Sequence, residues 1–340
     1  MIREAIAKLV EKRNLTSEET EIVMQEIMLG EATPSQISSF ITALRMKGET
    51  VEEIAGCAKV MRDHSTRIVT KQKLLVDTCG TGGDGVSTFN ISTAVAFVIA
   101  GAGVAVAKHG NRSVSSRCGS ADVLEALGVN IELNPEEITR CLDEIGIGFL
   151  FAPRLHPAMK YAGIPRREIG IRTVFNILGP LTNPASASTQ LLGVYSPELT
   201  ETMAHVLSLL GTKSAMVVHG ADGLDELSVT GLNRVTQLSK GKIITYDLDP
   251  QKYGFPLAKL ADLKGGLPGE NANIIKNLLQ GGEGAKRDVV LLNAAAGLLA
   301  AGKVTDMKEG INLSAESINT GAALNKLEQL INLSQSLGRK

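Results

Sequence analysis

Leu74-Leu75-Val76-Asp77-Thr78-Cys79-Gly80-Thr81-Gly82-Gly83-Asp84-Gly85 is the stretch on which the architecture turns. Leu74 to Thr78 has the length of a short buried strand. It runs into a turn holding Gly80, Gly82, Gly83 and Gly85. Glycine reaches positive φ at little cost, so such a turn is tight and presents backbone N–H groups to an anion. Asn90 to Ala100 then reads as a helix, with Asn90, Ser92 and Thr93 in its first turn. A strand, a glycine turn and a helix N-terminus in series make a phosphate site.

Working outward, the alternation continues. Val104 to Ala107 reads as a strand, Gly119 to Leu127 as a helix and Asn130 to Leu133 as a short strand. Asn134-Pro135-Glu136-Glu137 starts another helix, and Gly148 to Phe151 is a strand again. Arg166 to Ala187 breaks the pattern, with Gly170, Gly179, Pro180, Asn183 and Pro184, and reads as a crossover or loop region. Beyond it come a helix over Glu198 to Leu210 and a strand over Ala215 to His219. Asn233 to Leu238 and Lys242 to Tyr246 read as an antiparallel pair. Val289 to Leu292 leads into an Ala-rich helix from Asn293, and Ser314 to Leu337 is the closing helix. The first 65 residues carry only helical periodicity, punctuated by Thr16 with Glu19, Thr33-Pro34, and Thr50 with Glu53 as helix starts. The expected fold class is α/β: a small all-helical domain plus a large α/β domain with a mainly parallel central sheet flanked by helices.

Composition narrows the function. Thirty-five Lys and Arg against 36 Asp and Glu leave a net charge of -1. Aromatic residues are 3% and Trp is absent. Neither bulk charge nor stacking surfaces favour nucleic acid. Cys57, Cys79, Cys118 and Cys141 form no C-x-x-C pair, which suits a reducing compartment. The longest apolar run, Ala94 to Ala107, is shorter than the roughly 20 residues a bilayer requires. The opening residues show no apolar signal core. The expectation is a soluble cytoplasmic protein with no membrane and no nucleic-acid partner.

The glycine turn matches G-x-G-x-x-G, yet no Asp or Glu occurs from Gly85 through Ala121. A dinucleotide site would place an acid there for the ribose. No Gly-Lys-Ser/Thr closes the turn, so it is not a Walker loop either. A polyphosphate reading survives. Lys108-His109-Gly110-Asn111-Arg112, followed by Ser113, Ser115 and Ser116, sits at the carboxyl end of a buried strand in that acid-free window. Asp225-Glu226 follows a strand and a turn. Adjacent carboxylates beside a polyphosphate site suit magnesium, which takes few protein ligands plus waters and phosphates. Arg166-Arg167 lies in the irregular stretch, and a guanidinium there suits a carboxylate.

Six segments in series resemble the anthranilate phosphoribosyltransferases. They are Gly80-Thr81-Gly82-Gly83-Asp84, Asn90-Ile91-Ser92-Thr93, Lys108-His109-Gly110-Asn111-Arg112, Gly119-Ser120-Ala121-Asp122, Asn176-Ile177-Leu178-Gly179-Pro180-Leu181-Thr182-Asn183-Pro184 and Asp225-Glu226. The resemblance implies a type III phosphoribosyltransferase fold, shared with pyrimidine nucleoside phosphorylases. The small domain would hold residues 1–70 with a returning segment about 166–188 and would form a homodimer. Residues 71–165 and 189–340 would form the large domain that binds phosphoribosyl diphosphate.

The resemblance also implies roles. Gly80, Gly83, Asp84, Thr88, Asn90, Ile91, Ser92, Thr93, Lys108, His109, Gly110, Asn111, Arg112, Ser113, Val114, Ser115, Ser116 and Ser120 would contact phosphoribosyl diphosphate. Gly80, Asn111, His156 and Arg166 would contact anthranilate. Ser92, Asp225 and Glu226 would contact Mg²⁺. Lys108 and His109 are the candidates for a catalytic contribution, and no side chain is expected to be an obligatory base, because the anthranilate amine is already neutral and nucleophilic. The implied reaction makes N-(5-phosphoribosyl)anthranilate and pyrophosphate, a step of tryptophan synthesis. A pyrimidine nucleoside phosphorylase is the rival reading, disfavoured by the acid pair, and a nucleic-acid-binding relative is a more distant one.

Overall fold

A computed structural model of the chain describes residues 1–83, 85–113 and 117–338. Four helices come first: α1 (Ile2–Val10), α2 (Ser17–Met28), α3 (Pro34–Lys47) and α4 (Val51–Asp63). The hydroxyls of Thr16, Thr33 and Thr50 each accept the N–H three residues on, and Glu19, Gln36 and Glu53 accept the threonine N–H in return. Each reciprocal cap satisfies two donors that the helix itself cannot. Glu53 does more. Its buried carboxylate also accepts the Leu15 N–H at 2.9 Å and pairs with Lys47 Nζ at 2.8 Å, so the cap of α4 ties the bundle's turns together.

The α/β part begins with β1 (Val76–Gly80), α5 (Ile91–Gly101), β2 (Val106–Gly110), α6 (Ser120–Leu127), α7 (Pro135–Ile145) and β3 (Ile147–Phe151). The short α8 (Ala152–Leu155), α9 (Lys160–Ile169) and the single-turn α10 (Phe175–Leu178) lead to β4 (Thr189–Gly193). After α11 (Leu199–Leu209) come β5 (Ser214–His219), β6 (Asn233–Ser239) and β7 (Lys242–Leu248). The chain closes with α12 (Pro268–Leu279), α13 (Ala285–Ala300), α14 (Met307–Asn319) and α15 (Ala322–Leu337).

Among the described residues one sheet forms, in the order β3-β2-β1-β4-β5-β6-β7. It is parallel from β3 to β5 and antiparallel across β6 and β7. Strand order reverses at β1, which lies between β2 and β4. Ligands of open α/β sheets bind outside the carboxyl end of that switch point. Alternate side chains of the central strands feed two cores. Leu191, Met216 and Val218 pack with α5 and α13–α15 on one face. Leu192, Ala215 and Val217 pack with α1–α4 and α11 on the other. Val174, Phe175, Ile177, Leu178 and Leu181 belong to this second core, so the segment after α9 packs with the helical bundle.

Several expectations change. Residues Asn130 to Leu133 are not a strand: the Asn130 N–H bonds to Ser334 Oγ and its amide to the Ser334 carbonyl. Val129, Ile131 and Leu133 are buried alternately, which mimics a strand's period without a ladder partner. Arg166 lies in the last turn of α9 rather than in a loop, because Pro165 is accommodated inside that helix. Ser314 to Leu337 is two helices, separated at Gly321, whose φ is 76°. The Ala-rich helix starts at Ala285, so Val289 to Leu292 is already helical. β1 begins two residues later than read, and β4 and α12 were not read at all.

Candidate active site

Three neighbouring parallel strands end on glycine: Gly80, Gly110 and Gly193. Gly80 and Gly193 stand opposite each other in register. A Cβ on either would collide with Asp225, and one on Gly110 with Ser120 and Phe149. The missing side chains leave the space that Asp225, Ser120 and Phe149 occupy at the carboxyl edge of the sheet.

Beyond β1 the chain turns through Gly82, Gly83 and Gly85, all at positive φ. The Thr81 N–H donates to the Gly193 carbonyl at 2.9 Å, and the Gly82 N–H to Asp225 Oδ2 at 2.6 Å. At the start of α5, the Ser92 N–H donates to Glu226 Oε1 at 3.1 Å. The acid pair therefore engages both anion-donor elements, the glycine turn and the helix N-terminus. Asn90 braces them: its amide donates to the Cys118 carbonyl at 3.0 Å, and its oxygen accepts from Asn271 at 2.9 Å. Thr88 forms a bridge with Lys264. Ile91 and Thr93 are buried behind the helix start, and the Thr93 hydroxyl has no hydrogen-bond partner among the described residues.

Lys108 is 3% exposed. Its ammonium donates to the Thr78 carbonyl at 2.5 Å and to Ser92 Oγ at 3.1 Å. Burial lowers its pKa, and buried Asp77 opposes that shift. Asp77 Oδ1 accepts the His109 N–H at 3.1 Å, and burial raises the pKa of this acid. Asp77 was quoted in the sequence but given no role. The available signal is an acid inside an otherwise uncharged buried strand.

His109 and His156 meet Nε2 to Nε2 at 3.2 Å, so one proton lies between them. Nδ1 of His109 lies 3.2 Å from the Gly179 carbonyl. Burial pushes His109 down to about 3, helped by His156, and pushes His156 down to about 4. Both rings are neutral at pH 7. Arg166 lies 5.1 Å from the centroid of Phe175, half-buried, while Arg167 is exposed. Among the described residues no carboxylate pairs with Arg166. The contacts of His109 and Arg166 thus converge on residues 175–179.

Asn111 is exposed, and its side chain accepts the Arg112 N–H at 2.7 Å. The Asn111 carbonyl accepts the Ser120 hydroxyl at 3.3 Å. Arg112 turns to Asp122 and Glu125, at 3.0 and 2.8 Å, and Ser113 N–H also donates to Asp122. Asp84, Val114, Ser115 and Ser116 lie outside the described residues. Arg172 was not singled out in the sequence, yet its guanidinium donates to the Gly83 carbonyl and lies 4.7 Å from the Tyr195 ring centroid. No sequence signal marks it, because Gly83 and Tyr195 are distant along the chain.

The glycosyl transferase family pattern matches twice, its helical bundle domain over residues 3–65 and its a/b domain over residues 72–324. An anthranilate phosphoribosyltransferase of Moorella thermoacetica is 57% identical over 331 residues, 97% of this chain and 98% of that protein. One of Pelotomaculum thermopropionicum is 57% identical over 337 residues, 99% of this chain and 98% of that protein. The chain belongs to the anthranilate phosphoribosyltransferase family. Solved members share the fold. The anthranilate phosphoribosyltransferase of Thermus thermophilus superposes with a TM-score of 0.93 at 45% identity, covering 97% of this chain and 99% of that one. The family member from Saccharomyces cerevisiae, solved in complex with PRPP and Mg, gives 0.90 at 32% identity, covering 99% and 98%. The family's helical bundle and a/b domain are thus both present here, and the chain is a glycosyltransferase-type enzyme. Among the described residues no helix is long and apolar enough to cross a membrane.

Proposed function

We propose that this chain transfers the phosphoribosyl group of 5-phosphoribosyl 1-diphosphate to the amine of anthranilate at the carboxyl edge of β1, β2 and β4. The observation that carries the substrate choice is Arg166: a half-buried guanidinium with no ion-pair partner among the described residues, set against an aromatic ring. A planar benzoate matches it in both charge and shape. The diphosphate would lie on the glycine turn and the N-terminus of α5, with Lys108 beneath.

In the reaction the amine lone pair forms the N–C1 bond as the C1–O bond breaks. That electron pair leaves with diphosphate, and the amine gives up one proton to the departing diphosphate or to water. Negative charge grows on the departing oxygens, toward Lys108 Nζ and the backbone N–H groups of the turn. Donors fixed in advance at the site of developing charge stabilise the transition state without reorganisation. Neutral His109 and His156 add no like charge beside Lys108. Asn111 would help to orient anthranilate.

The donor set fits magnesium. Two hard carboxylates, Asp225 and Glu226, sit against both anion-donor elements, with the Ser92 hydroxyl alongside. Among the described residues no three His, Cys, Asp or Glu side chains cluster tightly enough to hold a metal alone. Such a site takes part of its ligands from substrate phosphates and water. Magnesium bound there would neutralise charge on the leaving diphosphate. Homodimerisation through α1–α4 belongs to the same proposal, supported by the apolar side chains exposed there at Val10, Leu29 and Met46.

The test is anthranilate consumption, followed by fluorescence with phosphoribosyl diphosphate and Mg²⁺, on the wild type and Arg166→Ala. The wild type should require both. The variant should raise KM for anthranilate about tenfold or more, the loss of a charge-assisted pair. An unchanged anthranilate KM removes Arg166 from the carboxylate site. Turnover of nucleosides with phosphate in place of anthranilate would favour the phosphorylase reading.

A further inference from the structure

Three features hold the glycine turn in place. Two are on the sheet side, Gly193 and Asp225, and have been described. The third comes from the other side. Arg172 follows α9 by three residues, on the connection that carries Arg166 toward Phe175. Its guanidinium donates to the Gly83 carbonyl. The same guanidinium lies 4.7 Å from the centroid of Tyr195, just past β4, and the Tyr195 N–H donates to Thr81 Oγ1 at 3.2 Å. Thr81, Gly83, Tyr195 and Arg172 therefore close a ring of contacts around the turn. Gly83 has φ of 76°, and a Cβ there would come within 2.9 Å of the Arg172 guanidinium. Glycine at this position thus serves both the turn and the seat of the arginine.

Behind Arg172 the packing opens. A cavity of about 80 Å³ is lined by Arg45, Glu49, Ile54, Ile177 and Tyr195, at the seam between the helical bundle and the sheet. Arg172 itself lines this cavity, so it is held by Gly83 and Tyr195 rather than by close packing into either core.

We infer that Arg172 is a positioning residue that fixes the glycine turn for phosphoribosyl diphosphate by tying it to the segment bearing Arg166. The inference rests on reading the turn as the diphosphate site. Arg172 acts through the Gly83 carbonyl, which points the neighbouring N–H groups, and touches no reacting atom. Its removal frees the turn to sample other conformations, and the productive one is then only fractionally populated. Apparent affinity falls by that fraction.

The experiment compares wild type, Arg172→Ala and Arg172→Lys. Steady-state constants are measured for both substrates, with calorimetric binding of phosphoribosyl diphosphate plus Mg²⁺ and with thermal unfolding. Expected for Arg172→Ala is a rise of about tenfold in KM and Kd for phosphoribosyl diphosphate. The anthranilate KM at saturating phosphoribosyl diphosphate should stay within about twofold of wild type, with Tm unchanged. Arg172→Lys should recover part of the loss, since an ammonium still donates to Gly83 but lacks the planar fork that lies on Tyr195. Wild-type constants for phosphoribosyl diphosphate in Arg172→Ala overturn the inference. A uniform loss with lowered Tm also overturns it, because that marks a merely structural role. A wild type that does not consume anthranilate at all would instead overturn the proposed function, so the two failures are distinct.

Discussion

Lys108 holds an ammonium almost out of water, between a backbone carbonyl, a serine hydroxyl and the nearby charge of buried Asp77. A buried charge is retained only where it is compensated, and this one sits between the end of β1 and the start of α5, on the Thr78 carbonyl and Ser92 Oγ. Lys108→Met keeps the apolar stem and removes the donor. We expect kcat to fall by about 100-fold to 1000-fold, the usual cost of one preorganised donor. Turnover within about threefold of wild type would remove Lys108 from the transition state. At this scale the sequence was informative about chemistry and silent about partners. The Lys108-His109-Gly110-Asn111-Arg112 run was legible as a cationic cluster. That Lys108 faces inward while Arg112 turns to Asp122 and Glu125 was not, because both are cations four positions apart on one short segment.

At the scale of elements, the glycines at the ends of β1 and β4 admit Asp225 of the acid pair. Gly193 is the tighter of them, since an added Cβ would overlap the Asp225 backbone. Gly193→Ala must push Asp225 and Glu226 away from the turn and from α5. The expected outcome is an increase of about tenfold or more in the Mg²⁺ concentration for half-maximal rate, since a displacement near 1 Å is costly in a preorganised site. A magnesium titration of the variant checks it, and a wild-type curve would show that the acid pair does not depend on this approach. Helix starts were the most legible elements: the caps at Thr16 and Thr50 form as their spacing indicates. β4 was missed because it follows directly on an irregular stretch. The false strand at Asn130 to Leu133 came from alternate burial against α15, which follows the same period as a sheet face.

For the whole molecule, the two buried histidines link the fold to pH. Their folded pKa values, about 3 for His109 and about 4 for His156, lie below the ordinary histidine value. The unfolded chain therefore binds protons first as pH falls through about 6.5. The contribution to stability is full above that value and is lost as pH falls toward 4. At pH 5 each histidine costs about 2 kcal/mol. Asp77 has the opposite sign, because burial raises its pKa and its cost grows as pH rises. The measurement is therefore a difference. Urea unfolding of wild type and His156→Asn at pH 7 and pH 5 should show a smaller acid loss in the variant, by about 2 kcal/mol. Equal losses would mean that His156 titrates normally in the folded chain.

The sequence by itself determined the helical start, the α/β body, the glycine turn and the residue types for binding an anion. Those follow from local rules: periodicity, capping and the conformational freedom of glycine act within a few residues. Tertiary structure alone decided which carboxylate meets which donor, which of two adjacent arginines is half-buried, and that Arg172 reaches Gly83. Asp225 meets Gly82 across 143 positions and Glu226 meets Ser92 across 134. Such contacts depend on strand order and on the packing of two cores against one sheet, and no local pattern encodes them.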